Sequence, residues 1–412
     1  MAGAQECRDQ VMDGQIHLGL WLLTGGHHIA SWRHPQSNPA DLTSIDHYVR
    51  VAQLAERGKF DMVFFEDTLA VRERNGGVFG ESCFNSLDPL IQIAALAAAT
   101  ERIGLAASYS TTYNPPRTLA DKFATVDALS GGRTGWNMVT SDASAARNFG
   151  AGVHPEHDAR YSAARDVVQA VRSAWAEGPR SAQGQPVLIQ AGMSQWGLDF
   201  AGTYGEAIFA MFSEPQASRD FRSGLRDMAA AKGRSPDSIK VLPGFMPVIG
   251  STEREAQQKA ELYRELIAPR MMRAMLGERF NIDFTDRPLD EPFPIEEIQA
   301  VIDERPNVGG PRSRNLAGVR EGETMAAYAQ RMTARVSGHL NKVGSPDQIA
   351  DFMQEWTQSG GCDGFIVQAL QMPLEFELFV DEVIPVLQRR GLFRRDYAGD
   401  TLRSHLGLSA PV

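Results

Sequence analysis

SGGRTGWNMVTSDASAARNFG, from Ser130 to Gly150, is the stretch on which the fold turns. A Gly-Gly-Arg turn feeds a short strand-like run, Thr134–Val139, which opens into small polar groups and then a basic, amide-rich loop. Barrel enzymes build their sites from this unit, because side chains at the C-terminal ends of parallel strands share one mouth.

Outward from this stretch the unit recurs. Apolar runs at Ile16–Leu23, Met62–Glu66, Ile103–Ser108, Val187–Ala191, Ala207–Phe212, Ile239–Ile249 and Phe365–Val367 have the length and residue types of buried strands. Helical patterns separate most of them. Ser44–Arg57 sets Ile45, Tyr48, Val49, Ala52 and Leu54 on roughly one face, and Pro89–Thr100 is almost wholly small and apolar. Arg117–Leu129 and Arg160–Trp175 repeat the theme. Eight strands alternating with helices predict an α/β fold, a closed parallel (β/α)8 barrel, as one domain over residues 1–412. An open doubly wound sheet is the alternative, but no GxGxxG follows the first strand.

One section breaks the rhythm. Residues 252–336 read as helical, then irregular, with Pro288, Pro292, Pro294, Pro306, Gly309, Gly310 and Pro311. They predict an insertion between the seventh and eighth strands, acting as a lid over the mouth. Its Arg270, Arg273, Arg279, Arg312 and Arg314 are either surface residues or a receiver for a substrate carboxylate.

Composition narrows the function. A net charge of −10 argues against nucleic acid or an anionic membrane as partner. The N-terminus lacks the apolar core of a signal peptide, and no apolar run approaches the ~20 residues needed to span a bilayer. A cytoplasmic protein is expected. Cys7, Cys83 and Cys362 are scattered, and neither CxxC nor HExxH occurs, so no metal is expected. Cys362 reads as a small buried hydrophobe. Arg389, Arg390, Arg394 and Arg395 read as a solvated helix end.

Polar residues gather where the apolar runs stop. His27 and His28 follow the first strand, Glu66 and Asp67 end the second, Ser108 the third, and Asn137 lies near the end of the fourth. Ser213 and Glu214 follow the sixth and Gln368 the eighth. After the fifth comes GMSQWG, whose Gly192 and Ser194 open a helix and offer free backbone N–H groups, a good phosphate cradle. Each residue has a structural explanation too, Ser194 as an N-cap above all. Phe64, Trp136, Phe212 and Met246 are either apolar pocket walls or ordinary core residues.

With these residues in view, the chain resembles the bacterial luciferase-like flavin monooxygenases. Within them it resembles the branch of the nitrilotriacetate, EDTA and dibenzothiophene sulfone monooxygenases. The matching segments are HHIASWRHP (27–35), LAERGKFDMVFFEDTLAV (54–71), TERIGLAASYSTTYNPP (100–116), LSGGRTGWNMVTSDASAARNFG (129–150), HDARY (157–161), QGQPVLIQAGMSQWG (183–197), LPGFMPVIGSTEREA (242–256), VGSPDQIADF (343–352) and RRGLFRRDYAGDTLRSHLGL (389–408). The resemblance implies a luciferase-like TIM barrel that uses reduced FMN and O2, with the FMN reduced by a separate NAD(P)H:flavin reductase. It implies a small-molecule substrate and a homodimer or homotetramer. By the same resemblance Asp67, Ser108, Asn137, His157, Tyr161, Gly192 and Ser194 are the FMN contacts. His28 and His339 are the catalytic candidates, since histidine exchanges a proton near neutral pH. Glu66 departs from the family, which usually carries Ala before the Asp of the second strand. A deazaflavin-dependent oxidoreductase and a non-catalytic flavin-binding protein are the alternatives.

Overall fold

Strand and helix alternate until the sheet meets itself. The computed structural model describes residues 15–70, 73–74, 77–78, 87–141, 143–150, 154–179, 181–280, 282–304, 316, 319–333 and 339–411. The strands of its main sheet are β1 (His17–Trp21), β2 (Met62–Phe65), β3 (Gly104–Ser110), β4 (Thr134–Val139), β5 (Val187–Gln190), β6 (Ala207–Ala210), β7 (Lys240–Ile249), β8 (Leu340–Gly344) and β9 (Gly364–Val367), and Glu73–Arg74 pairs with Gly77–Val78 in a separate two-stranded ribbon. Among the described residues, β1 to β7 and β9 form a closed parallel barrel, with β7 paired to both β6 and β9 and β9 returning to β1.

The helices cover the outside. They are α1 (Ile45–Arg57), α2 (Pro89–Ala97), α3 (Pro116–Leu129), α4 (His157–Glu177), α5 (Gln195–Tyr204) and α6 (Pro215–Ala231). Alternate strand residues face these helices and the barrel interior, because strand side chains have period two. On β4 this puts Asn137 inside and Trp136 outside. Trp136 is fully buried against Phe123 of α3 and Trp175 of α4, at centroid distances of 5.5 and 6.2 Å. It is therefore not the pocket wall that its sequence position suggested. Phe212 likewise packs on Phe221 of α6, 5.1 Å away.

The section between β7 and β8 is more regular than its prolines suggest. It holds α7 (Glu253–Glu265), α8 (Pro269–Phe280), α9 (Ile295–Glu304) and α10 (Met325–Thr333). Met271, Leu276, Phe280, Phe284, Phe293, Ile298 and Tyr328 make its own apolar core, which Ala30 joins from the loop after β1. Arg273 donates to the carbonyl of Arg287 (2.9 Å), and Arg279 lies over Phe280. Both serve this core. Arg312 and Arg314 lie outside the described residues, as do Cys7 and Cys83.

β8 is an element the sequence pattern does not reveal. LNKVG has too few apolar residues to read as a strand. It forms because the ten-residue β7 outruns the barrel, and its second half, Phe245–Ile249, offers an edge to Leu340–Gly344. After α11 (Pro346–Gln358) and β9, the chain continues through α12 (Leu374–Leu378), a π-helical turn and α13 (Ile384–Arg389).

The last segment plugs the barrel at the end where the strands begin. Leu402, on α14 (Leu402–His405), and Leu406 and Leu408 pack on Met62, Ala106, Val187, Ile189, Leu242 and Ile366 from inside the ring. Gly104 leaves space for Leu402, since a Cβ there would lie 2.5 Å from its Cδ1. Arg394 is buried in this end and pairs with Asp61 at 2.5 Å. It is not part of a solvated helix end, whereas Arg390 is exposed there and pairs with Asp347 and Asp351. Cys362 is buried, and burial pushes its thiol pKa up. No described helix is long and apolar enough to cross a membrane, and no described cluster of three His, Cys, Asp or Glu could hold a metal ion.

Candidate active site

The strand ends surround a chamber of about 360 Å³ at the mouth of the barrel. Phe64, Asp67, Ser108, Asn137, Trp21 and Phe209 line it, with Glu66 and Ser141 beside them. The structure thus brings Asp67, Ser108 and Asn137 together from β2, β3 and β4. Phe64 is the one expected apolar wall that reaches this chamber. Met246 lines a second, smaller one, of about 110 Å³, between β7, β8 and α7.

Asn137 is held from one side only. Its Nδ2 donates to Ser108 Oγ at 2.8 Å, while its Oδ1 is buried with no hydrogen bond. Gln190, the last residue of β5, repeats the pattern with a buried and unbonded Oε1. Buried polar atoms are nearly always paired, so these carbonyl oxygens are what a bound ligand with N–H donors would complete. Asp67 is pushed up to about 6 by burial and then by Asp88. Asp88 is pinned by Tyr109 Oη (3.1 Å) and by the N–H groups of Leu90 and Ile91 at the start of α2.

The second group lies at the end of β5, next to β4, and at the start of α4. His157 is exposed at the start of α4, and its ring meets that of Tyr161 one turn later at 5.1 Å. The Tyr161 hydroxyl reaches Gly192, where a Cβ would lie 2.5 Å from it and would also collide with Gln190 Nε2. A larger residue there would have to push both side-chain ends aside. Ser194 caps α5, accepting the Gly197 N–H at 3.1 Å, which leaves its own proton free for a ligand. The first N–H groups of α5 point the same way and favour an anion.

The two candidate catalytic histidines are placed apart. His339 stacks on Phe209 (5.4 Å, 13°) and meets Trp21 edge-on (5.9 Å), so it backs the main chamber. His28 lines the second chamber with Tyr263, whose ring lies 5.1 Å away. Its Nδ1 accepts the Ala30 N–H at 3.2 Å, which puts its proton on Nε2. Burial lowers His28 to about 4. It is therefore neutral at pH 7 and acts as an Nε2–H donor, without the proton exchange expected of an ordinary histidine. His27 is lowered to about 3, by burial and then by His339, against the Ala369 carbonyl.

An asparagine held by a serine at adjacent strand ends, an acid on the strand before them and a glycine-bearing helix start thus gather at one end of the barrel. Comparison with known proteins gives the family. A family model for luciferase-like monooxygenases matches residues 24–363. The chain belongs to this family. It is a flavin-dependent monooxygenase, as its motifs implied. It is 36% identical to the N-acetyl-S-(2-succino)cysteine monooxygenase of Bacillus subtilis (strain 168), over 97% of this chain and 98% of that protein. To nitrilotriacetate monooxygenase component A of Aminobacter aminovorans it is 34% identical, over 96% of this chain and 97% of that protein. The solved EDTA monooxygenase of Chelativorans sp. BNC1 superposes with a TM-score of 0.75 at 30% identity, covering 96% of this chain and 99% of that one.

Several site residues escape sequence reasoning. Trp21 and Phe209 read as strand core. Gln190 did carry a signal: VLIQ and FIVQ both end an apolar strand in glutamine, a donor–acceptor pair where a core residue would do.

Proposed function

We propose that the chain is the oxygenase component of a two-component system. It takes reduced FMN from a separate NAD(P)H:flavin reductase and inserts one atom of O2 into a small organic substrate. The observation that carries this reading is the set of unspent polar groups at the strand ends, Asn137 Oδ1 first. Further support is the absence of a dinucleotide fingerprint after β1, since an enzyme supplied with reduced flavin need not hold NAD(P)H. The name component A, borne by a relative, is consistent with a partner reductase.

The residues fit FMN. Asn137 and Ser108 would hold one edge of the ring, with Asp67 beside them. Ser194, Gly192, Tyr161 and His157 would hold the phosphate end. When bound, the reduced flavin supplies the electrons that activate dioxygen. The chain's own task is to keep water out and the substrate in place. Phe64, Trp21 and Phe209 wall the chamber with His339 behind them, and His28, in the second chamber, would offer the substrate a neutral Nε2–H donor. In this reading residues 252–336 form the cover of the mouth. The reading also puts the enzyme in the cytoplasm, where reduced nicotinamide is available, as a homodimer or homotetramer.

The test mixes the protein with FMN, NADH, a generic flavin reductase and a panel of candidate substrates under ¹⁸O₂. One labelled oxygen in a product supports the reading. Hydride exchange without oxygen uptake, or flavin binding with only hydrogen peroxide released across the whole panel, overturns it.

A further inference from the structure

The second chamber adjoins the first along one strand face. Side chains two apart on a strand share a face. On β7, Gly244 stands against the His339 ring, and Met246 and Val248 follow it as walls of the second chamber. On the neighbouring segment His339 backs the main chamber, and Asn341, two residues on, lines the second. The two chambers are therefore neighbours on one face of β7 and β8.

Most of the second chamber's wall is apolar, from Met246, Val248, Ala260, Val343 and Leu370. The polar side chains set against it offer mainly donors. His28 has its Nδ1 taken by the Ala30 N–H, so its proton is on Nε2. Nε2 has no partner among the described residues and is not one of the sealed polar atoms of the interior, so a ligand in the chamber can reach it. Burial alone lowers this histidine to about 4, with no carboxylate holding it up. Asn341 donates one amide hydrogen to the Met246 carbonyl at 2.9 Å and keeps the other. Arg264 is the one cation among the described residues lining the two chambers. Its Nη2 pairs with Glu261 at 2.5 Å, while Glu261 is 57% exposed.

A ligand for this chamber must bring acceptors. A carboxylate that leaves water needs donors and a cation in its place. Here the His28 Nε2–H, the spare Asn341 amide hydrogen and the Arg264 guanidinium supply both. The pair with Glu261 is no obstacle, because an exposed ion pair contributes little and a guanidinium has five N–H donors to share between two carboxylates. The other ion pair beside Tyr263, Lys259 with Glu375, is closed on itself at 3.0 Å. We propose that the second chamber holds a carboxylate of the substrate between His28 and Arg264, while the carbon skeleton reaches into the main chamber. The proposal rests on the reading of the mouth as an oxygenase site and adds its substrate class, a small organic acid.

Two nearly isosteric probes that differ in charge decide it: propionate and propionamide. Flavin-free crystals of the full chain are soaked with each at equal concentration, and affinities are measured in solution by ligand-observed NMR. The expected result is propionate in the second chamber, its carboxylate within hydrogen-bond reach of His28 Nε2 and the Arg264 guanidinium, bound about tenfold more tightly than propionamide. Arg264→Gln should weaken propionate by about tenfold and change propionamide by less than about twofold. His28→Phe should weaken both probes. If that variant does not fold, Arg264→Gln, at a partly exposed position, and the unaltered protein still decide. Propionamide bound as tightly as propionate, a propionate affinity unmoved by Arg264→Gln, or a second chamber that takes up only water overturns the proposal. Because the experiment needs neither flavin nor turnover, its failure is distinct from a failure to incorporate ¹⁸O.

Discussion

Asn137 Nδ2 donates to Ser108 Oγ across 2.8 Å, between neighbouring strands whose register puts the two residues side by side. The serine thereby fixes which way the amide faces and leaves its buried Oδ1 unbonded, on a residue that lines the chamber. Asn137→Leu keeps the volume and removes both functions. FMN affinity, read by quenching of flavin fluorescence, should fall about tenfold or more, as for a lost buried hydrogen bond. Thermal stability should change little by comparison. An unchanged affinity would mean that the amide does not touch the ring.

Ser194→Asp tests the other end of the cofactor. Aspartate caps a helix as well as serine does, so α5 should remain intact. The new charge would face the phosphate. FMN should bind about tenfold more weakly, in line with a like charge at a helix start. Riboflavin, which has no phosphate, should bind as before. Equal losses for both flavins would show a distorted pocket instead of repulsion at the phosphate.

The pH dependence of stability should reveal Asp67. Burial and then Asp88 raise its pKa from 3.8 to about 6, so between these values the folded protein binds more protons than the unfolded chain. Its contribution is full below pH 3.8 and is lost as pH rises through about 6. Asp67→Asn has no such loss. Melting temperatures of the two proteins should coincide near pH 4, with the variant higher at pH 7. Parallel curves across this range would show that Asp67 ionises freely.

What was legible in the sequence is what depends on a residue and its near neighbours. Asp67, Ser108 and Asn137 could be found because an apolar run that stops at a polar residue marks the end of a strand, and parallel closure brings the ends together. Trp21 could not, since it reads as strand core until packing shows it lining the chamber. Likewise β8 exists only because β7 overshoots the ring and exposes an edge. Trp136 was misread because residues one apart on a strand face opposite sides, and a sequence does not say which is inside until the register is known.

The same limit explains Arg394, which looked like one charge among several near a chain end. Asp61 sits fully buried under the barrel. Burial by itself would raise its pKa, but Arg394, His17 and the Leu18 N–H together hold it at about 2. Arg394→Met would leave that carboxylate without its main counter-charge, and loss of one partner from a buried pair destabilises by about 3–5 kcal/mol. Denaturant unfolding should show a loss of this size. Adding Asp61→Asn should recover much of it, because the unpaired charge is what does the harm. The pair also sets an acid limit, since its stabilisation is present above pH 3.8 and lost as pH falls toward 2. In the double variant this part of the acid sensitivity should vanish. If the single variant unfolds at the same denaturant concentration as the parent, the C-terminal plug is held by Leu402 and its neighbours alone.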